Sequence, residues 1–123
     1  MSQYLLVALG AAAGGLARYI IGTAIMQRFG GRFPLGTLAV NVTGCFLIGV
    51  LMTMIAERGT LNSKWQPLLV VGVLGGYTTF SSFGWETYTR VREGSLFMGL
   101  AYVLLSVTLG YIAVWCGAYL ARR

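Results

Sequence analysis

The stretch WQPLLVVGVLGGYTTFSSFGW, residues 65–85, runs for 21 residues without a charged side chain and has a tryptophan at each end. At 1.5 Å per residue a helix of that length spans a hydrocarbon core of roughly 30 Å. Tryptophans at both ends suit the two membrane interfaces. The second half of the stretch argues against a plain helix. From Gly75 to Gly84 the residues are small, hydroxylated or aromatic, and such residues have poor helix propensity. Non-helical backbone at membrane depth survives only where protein or water satisfies its peptide groups, so a break here implies a site or a pore lining.

Outward from that segment the pattern recurs. Leu35 to Ala56 is a run of 22 uncharged residues, with Pro34 suited to the first turn of its helix. Gly94 to Ala121 is uncharged throughout, and on the N-terminal side residues 1–17 and 19–27 are uncharged with only Arg18 between them. No basic region precedes the first apolar run and its pattern continues past where a signal peptide is cleaved, so it is read as a span. The reading is an all-α membrane protein of four transmembrane helices, at about 4–26, 35–56, 65–85 and 96–120, the third broken mid-membrane. Residues 1–123 then form a single transmembrane domain, an up-and-down bundle with short connections.

Composition supports this and excludes other classes. Hydrophobic residues make up 57% of the 123 residues and charged residues 10%, where a soluble domain has about 25% charged. Nine Lys and Arg against three Glu give +6. These cations are scattered singly or in pairs, whereas nucleic-acid binders gather them on one surface. With no His, and with Cys45 and Cys116 each alone in an apolar run, no set of residues has metal-ligand spacing. Both cysteines are expected to pack against helix or lipid.

The polar residues inside the spans carry the chemistry. Arg18 costs about 2.5–3.5 kcal/mol at a span centre; it either snorkels or caps carbonyls, or it is a fixed cation beside an aqueous vestibule. Gly10, Gly14, Arg18 and Gly22 recur every four residues and so share a helix face expected to meet other helices. Thr37, Asn41 and Gly44 share a face of the second span. The Asn41 amide serves either as an interhelical hydrogen bond or as a donor to a permeating anion. Phe80 and Phe83 either pack or direct their positive ring edges into a narrow path. Tyr102, Ser106 and Gly110 form a line along the fourth span, where the hydroxyls can equally bond carbonyls one turn back. The acids, Glu57, Glu86 and Glu93, fall near span ends, and Glu86 is four residues before Arg90, which predicts a surface ion pair. Amide and hydroxyl donors, ring edges and a cation suit an anion better than a cation.

Four motifs in order, GGLARY at 14–19, GTLAVNVTG at 36–44, GGYTTFSSF at 75–83, and Tyr102 with Ser106, resemble the small bacterial fluoride channels of the Fluc type, also called CrcB proteins. The likeness covers essentially the whole chain. It implies a passive channel of the bacterial inner membrane that lets fluoride leave the cytoplasm, built as an antiparallel, dual-topology homodimer with two pores lined by both subunits. Carried onto this sequence, it implies an ion path along Phe80, Phe83 and Asn41, with Thr37, Tyr102, Ser106, Thr79 and Ser82 as polar lining and Arg18 at the vestibule. It also implies a structural Na+ at the dimer centre, held by backbone carbonyls at Gly75 and Thr78. Some members have a hydroxyl residue where this chain has Gly110, so the polar line is expected to be shorter or water-lined there. Fluoride rather than chloride comes from the resemblance alone. The logic is acid chemistry: HF crosses uncharged, ionises in a more neutral cytoplasm, and the trapped anion needs a pore. The alternative is a small four-span proton-coupled multidrug antiporter, which needs a titratable carboxylate deep in a span.

Topology follows from charge counting. Arg58, Lys64, Arg122 and Arg123 fall on one side of the four spans, and Arg28, Arg32, Arg90 and Arg92 on the other. Equal counts leave the orientation undecided, so both orientations are expected, and opposite copies can pair about a two-fold axis in the membrane plane.

Overall fold

Every peptide group in a hydrocarbon layer must find a partner within the protein, and this chain meets that demand with helices throughout. The computed structural model describes residues 1–123 and contains no strand. Helix α1 is Gln3–Phe29, capped by the Ser2 hydroxyl, and α2 is Leu35–Met52, continuing through one wider turn, Thr53–Glu57. The wide-turned Pro67–Leu74 and the α-turn Gly75–Tyr77 together form α3. Helix α4 is Phe80–Arg92 and α5 is Leu96–Arg122. Four helical segments are long and apolar enough to cross a membrane: Gln3–Phe29, Leu35–Glu57, Ser63–Arg92 and Leu96–Arg122. The third extends well beyond the 65–85 expected, because α4 carries the charged residues Glu86, Arg90 and Arg92 past Trp85.

Between α3 and α4 only two residues leave helical geometry. Thr78 (φ −86°, ψ 159°) and Thr79 (φ −150°, ψ 119°) are extended. Gly75 and Gly76 stay helical, and so do Phe80 to Gly84, despite their low propensity. Tertiary contact overrides propensity here. Gly14 of α1 lies so close to α3 that an added Cβ would run into the Val73 carbonyl oxygen and stand 2.9 Å from the Tyr77 nitrogen. Two backbones in contact hold the poor helix former in place, the close approach that small residues permit in membranes.

Helices α2 and α5 form the other tight pair, meeting backbone to backbone at Gly49 and Gly117, and Tyr102 and Val40 are the largest fully buried side chains. At one end of the bundle Arg122 grips Glu57 with two bonds, Nε to Oε2 at 2.6 Å and Nη2 to Oε1 at 2.8 Å, while Arg58 donates to the Ala121 carbonyl at 2.8 Å. Large apolar side chains stay exposed over the outer faces, among them Leu16, Ile20, Leu104, Val107 and Trp115. Helices that are apolar all round belong in a lipid environment.

Candidate functional site

The site is assembled at the interruption after α3. Helix α3 ends with the Thr78 N–H and Oγ1 both donating to the Leu74 carbonyl at 2.9 Å. Helix α4 starts with the Thr79 hydroxyl accepting from the Ser82 N–H at 3.2 Å, the ordinary satisfaction of a helix N-terminus. Thr79 itself is held by Asn41 across the gap. The Asn41 Nδ2 donates to the Thr79 carbonyl at 3.0 Å, and the Thr79 N–H donates to Asn41 Oδ1 at 2.8 Å. One amide replaces two lost helical bonds. The pairing also fixes the orientation of the amide, since only its oxygen can accept the Thr79 proton. Gly44, one turn further along α2, gives the interruption room: a Cβ there would collide with Thr78 Cγ2. Asn41 therefore makes the interhelical bond, and its second N–H remains for another acceptor.

Asn41 lines an open groove of about 400 Å³ together with Cys45, Thr78, Thr79, Phe80, Phe83 and Ser106, with no carboxylate in its wall. Ser106 does not bond back onto its own helix. Its Oγ is the one buried side-chain hydroxyl in the structure without a hydrogen-bond partner, and an unpartnered buried hydroxyl is costly unless something else satisfies it. Phe80 is 84% exposed, and its ring centroid is 5.6 Å from that of half-buried Phe83. Cys45 packs toward α5, as expected of a residue facing a helix, and also lines the groove. Gly110 stands beside the Cys45 sulfur, where an added Cβ would sit at 3.4 Å.

A second hollow, about 550 Å³, is lined by Arg18, Gly22, Thr23, Gln27, Thr37, Thr79 and Ser82. Thr79 borders both hollows. Arg18 makes no hydrogen bond and no ion pair, so it caps no carbonyl; it is a cation on the wall of the hollow. The stripe Gly10, Gly14, Arg18 and Gly22 therefore divides. Its first half packs on α3; in its second half Gly22 meets Gly36 of α2 as well as the hollow, and Arg18 lines the hollow.

Tyr102 borders neither hollow. It is fully buried behind Phe83, with ring centroids 5.1 Å apart, and its hydroxyl donates to Glu86 Oε2 at 3.1 Å. The Thr37 hydroxyl donates to the other Glu86 oxygen at 2.6 Å. The ion pair expected between Glu86 and Arg90 is not formed: Arg90 Nη1 bonds Glu93 at 2.7 Å. Glu86 is three residues after Phe83, hence on the same helix face, and that face points inward between α2 and α5. The spacing held the signal, but charge and nearness to Trp85 pointed the other way.

The carbonyls of Gly75 and Thr78 fit a small hard cation. The Thr79 N–H goes to Asn41 and the Ser82 N–H to the Thr79 hydroxyl, so neither carbonyl receives its helical donor. Both residues line the groove, and free carbonyl oxygens are ligands of hard cations.

A family model described as "CrcB-like protein, Camphor Resistance (CrcB)" matches residues 5–118. The chain is 64% identical over 121 residues, 98% of its length and 99% of the relative's, to a Solibacter usitatus protein named Fluoride-specific ion channel FluC. Proteins of the same name from Acidobacterium capsulatum and Rhizobium meliloti are 45% and 44% identical over 121 and 122 residues, covering 98% and 99% of this chain and 97% and 98% of theirs. With the match running from α1 almost to the end of α5, and through every residue of the interruption, the chain belongs to the CrcB family.

Proposed function

We propose that this chain forms a passive, fluoride-selective channel that releases fluoride from the cytoplasm across the bacterial inner membrane. The observation that carries the reading is the Ser106 hydroxyl, buried without a partner in a groove that Asn41, Phe80 and Phe83 also line. Donors and positive ring edges with no carboxylate in the wall favour an anion, and the name shared by the relatives supplies fluoride. The ion enters by the hollow lined by Arg18 and Thr37, passes Thr79 and Ser82, and runs along Asn41, Phe80, Phe83 and Ser106, with Tyr102 behind the path. The proton-coupled antiporter has no support among these relatives, which are named as ion channels. At about 2.3 kcal/mol per charge per 100 mV, a negative-inside potential drives the anion outward without coupling to ATP or protons.

Thr78 and Thr79 stand at the middle of the 30-residue segment Ser63–Arg92, which supports an interruption at mid-membrane depth. Both hollows are open on one side, so one chain does not enclose a path, and a second, antiparallel copy completes it. A structural Na+ would be held by the Gly75 and Thr78 carbonyls, whose oxygens receive no helical donor, and would supply them with a cationic partner.

Purified protein in liposomes loaded with fluoride is expected to release it under a potassium gradient with valinomycin, and chloride-loaded liposomes to stay sealed, as followed by selective electrodes. Comparable fluxes of the two anions, or transport that needs a proton gradient, would defeat the reading. Topology has its own test. Cysteine accessibility tags in cells are expected to find both termini on both sides of the membrane. Two lysines added to one loop should bias insertion and lower activity until an oppositely biased copy is co-expressed. A single fixed orientation with full activity would remove the dual-topology assembly.

A further inference from the structure

We propose that Phe33, in the loop between α1 and α2, is a positioning residue of the anion path: its ring sets the plane of Tyr102 and so aims the Tyr102 hydroxyl at Glu86. The inference rests on the channel reading, in which Tyr102 stands behind the path and backs the Phe83 ring. Phe33 meets Tyr102 edge-on, with ring centroids 5.5 Å apart and planes at 82°, while Phe83 lies against Tyr102 at 5.1 Å and 40°. Two rings of different orientation therefore hold a tyrosine that has no solvent-exposed surface. Its bond to Glu86 is 3.1 Å, long for an O–H donor, so the ring contacts share in setting where the hydroxyl points.

The backbone holds Phe33 in place for this. Pro34 is buried and has φ −80° and ψ 65°, and the Leu35 N–H donates to the Phe33 carbonyl at 2.9 Å. That is an inverse γ-turn, with φ restricted by the proline ring. Helix α2 starts at once from this turn, and Thr37, four residues beyond Phe33, bonds the other oxygen of Glu86 at 2.6 Å. The same short segment thus presents one ring to Tyr102 and one hydroxyl to the carboxylate that Tyr102 meets. An apolar filler of the same bulk would close the gap equally well, but it would lack the polarised ring edge that favours the T-shaped arrangement.

Fluoride efflux from liposomes separates positioning from filling. Phe33→Leu is expected to slow efflux about threefold to tenfold, the range an edge-to-face ring pair corresponds to, while Phe33→Tyr, which keeps the ring, stays within about twofold of wild type. In a Tyr102→Phe background, which keeps the ring but has no hydroxyl to aim, Phe33→Leu should cause no further loss. The infrared difference spectrum obtained by subtracting Tyr102→Phe from its parent isolates the Tyr102 hydroxyl in detergent, and its hydrogen-bonded C–O band should shift in Phe33→Leu and not in Phe33→Tyr. If Phe33→Leu does not fold, Phe33→Met provides the aliphatic arm. Undiminished efflux in Phe33→Leu, losses that multiply in the double variant, or an unshifted band would each overturn the assignment. A wild type that passes no fluoride would instead remove the channel reading, and the spectral arm would still judge the contact between the two rings.

Discussion

Asn41→Asp is expected to abolish fluoride flux in a protein that still inserts and folds. The substitution keeps the shape of the side chain and its acceptor for the Thr79 N–H, 2.8 Å in the native protein. It removes both amide hydrogens. An oxygen then faces the Thr79 carbonyl where Nδ2 donated at 3.0 Å, and the groove acquires a fixed negative charge. Two like unit charges 4 Å apart repel by about 4 kcal/mol at an effective dielectric of 20. That corresponds to roughly a thousandfold against an anion passing the site. Initial efflux rates from liposomes, compared with elution on size exclusion to show a folded protein, decide the matter. Wild-type rates in a folded Asn41→Asp protein would take Asn41 out of the path and leave it only the task of bridging the interruption.

Gly14→Leu is expected to cause the largest loss of stability. A Cβ at residue 14 meets backbone atoms of α3, the Val73 carbonyl and the Tyr77 nitrogen, and backbone cannot rotate away as a side-chain tip can. Overpacking a well-filled site costs about 1–3 kcal/mol and occasionally more. With main chain on both sides of the contact, the cost should reach or exceed the top of that range. The effect would spread to the site. Tyr77 precedes the interruption, and its hydroxyl lies 2.8 Å from the Thr43 hydroxyl on α2, so moving α3 would pull on both ends of the Asn41 bridge. Gly15→Leu is the comparison, because no atom lies within 4 Å of a Cβ added there. Thermal unfolding in detergent should show a much lower midpoint for Gly14→Leu than for Gly15→Leu. Equal midpoints would mean that α1 and α3 separate at no cost.

Much of this protein was legible one residue at a time. The uncharged runs at 1–17, 35–56, 65–85 and 94–121 follow from the cost of burying charge in hydrocarbon, a property of each side chain and its solvent, so they mark the helices without reference to any partner. The residue types of the site were legible for the same reason. Asn41, Ser106, Arg18 and the Thr79–Ser82 hydroxyls stand out because lipid tolerates none of them idle.

What required the tertiary structure was the allocation of partners. Asn41 and Thr79 are 38 residues apart, and Thr37 and Glu86 are 49 apart; which donor finds which acceptor depends on how the helices are rotated against one another. Local spacing assigned Glu86 to Arg90, and the inward face of α4 assigned it to Thr37 and Tyr102. Propensity spread the irregular backbone over residues 75–84; the contact of Gly14 with α3 and the Thr79 cap of α4 leave only Thr78 and Thr79 extended. Helical periodicity put Tyr102 and Ser106 on one line; packing then buried Tyr102 behind Phe83 and left Ser106 alone at the groove. The sequence by itself determined which groups must be satisfied inside the membrane, because desolvation is paid residue by residue. Only the tertiary structure decided which of them satisfy each other and which are left without a partner in the chain, because a hydrogen bond needs two groups within about 3 Å and in line.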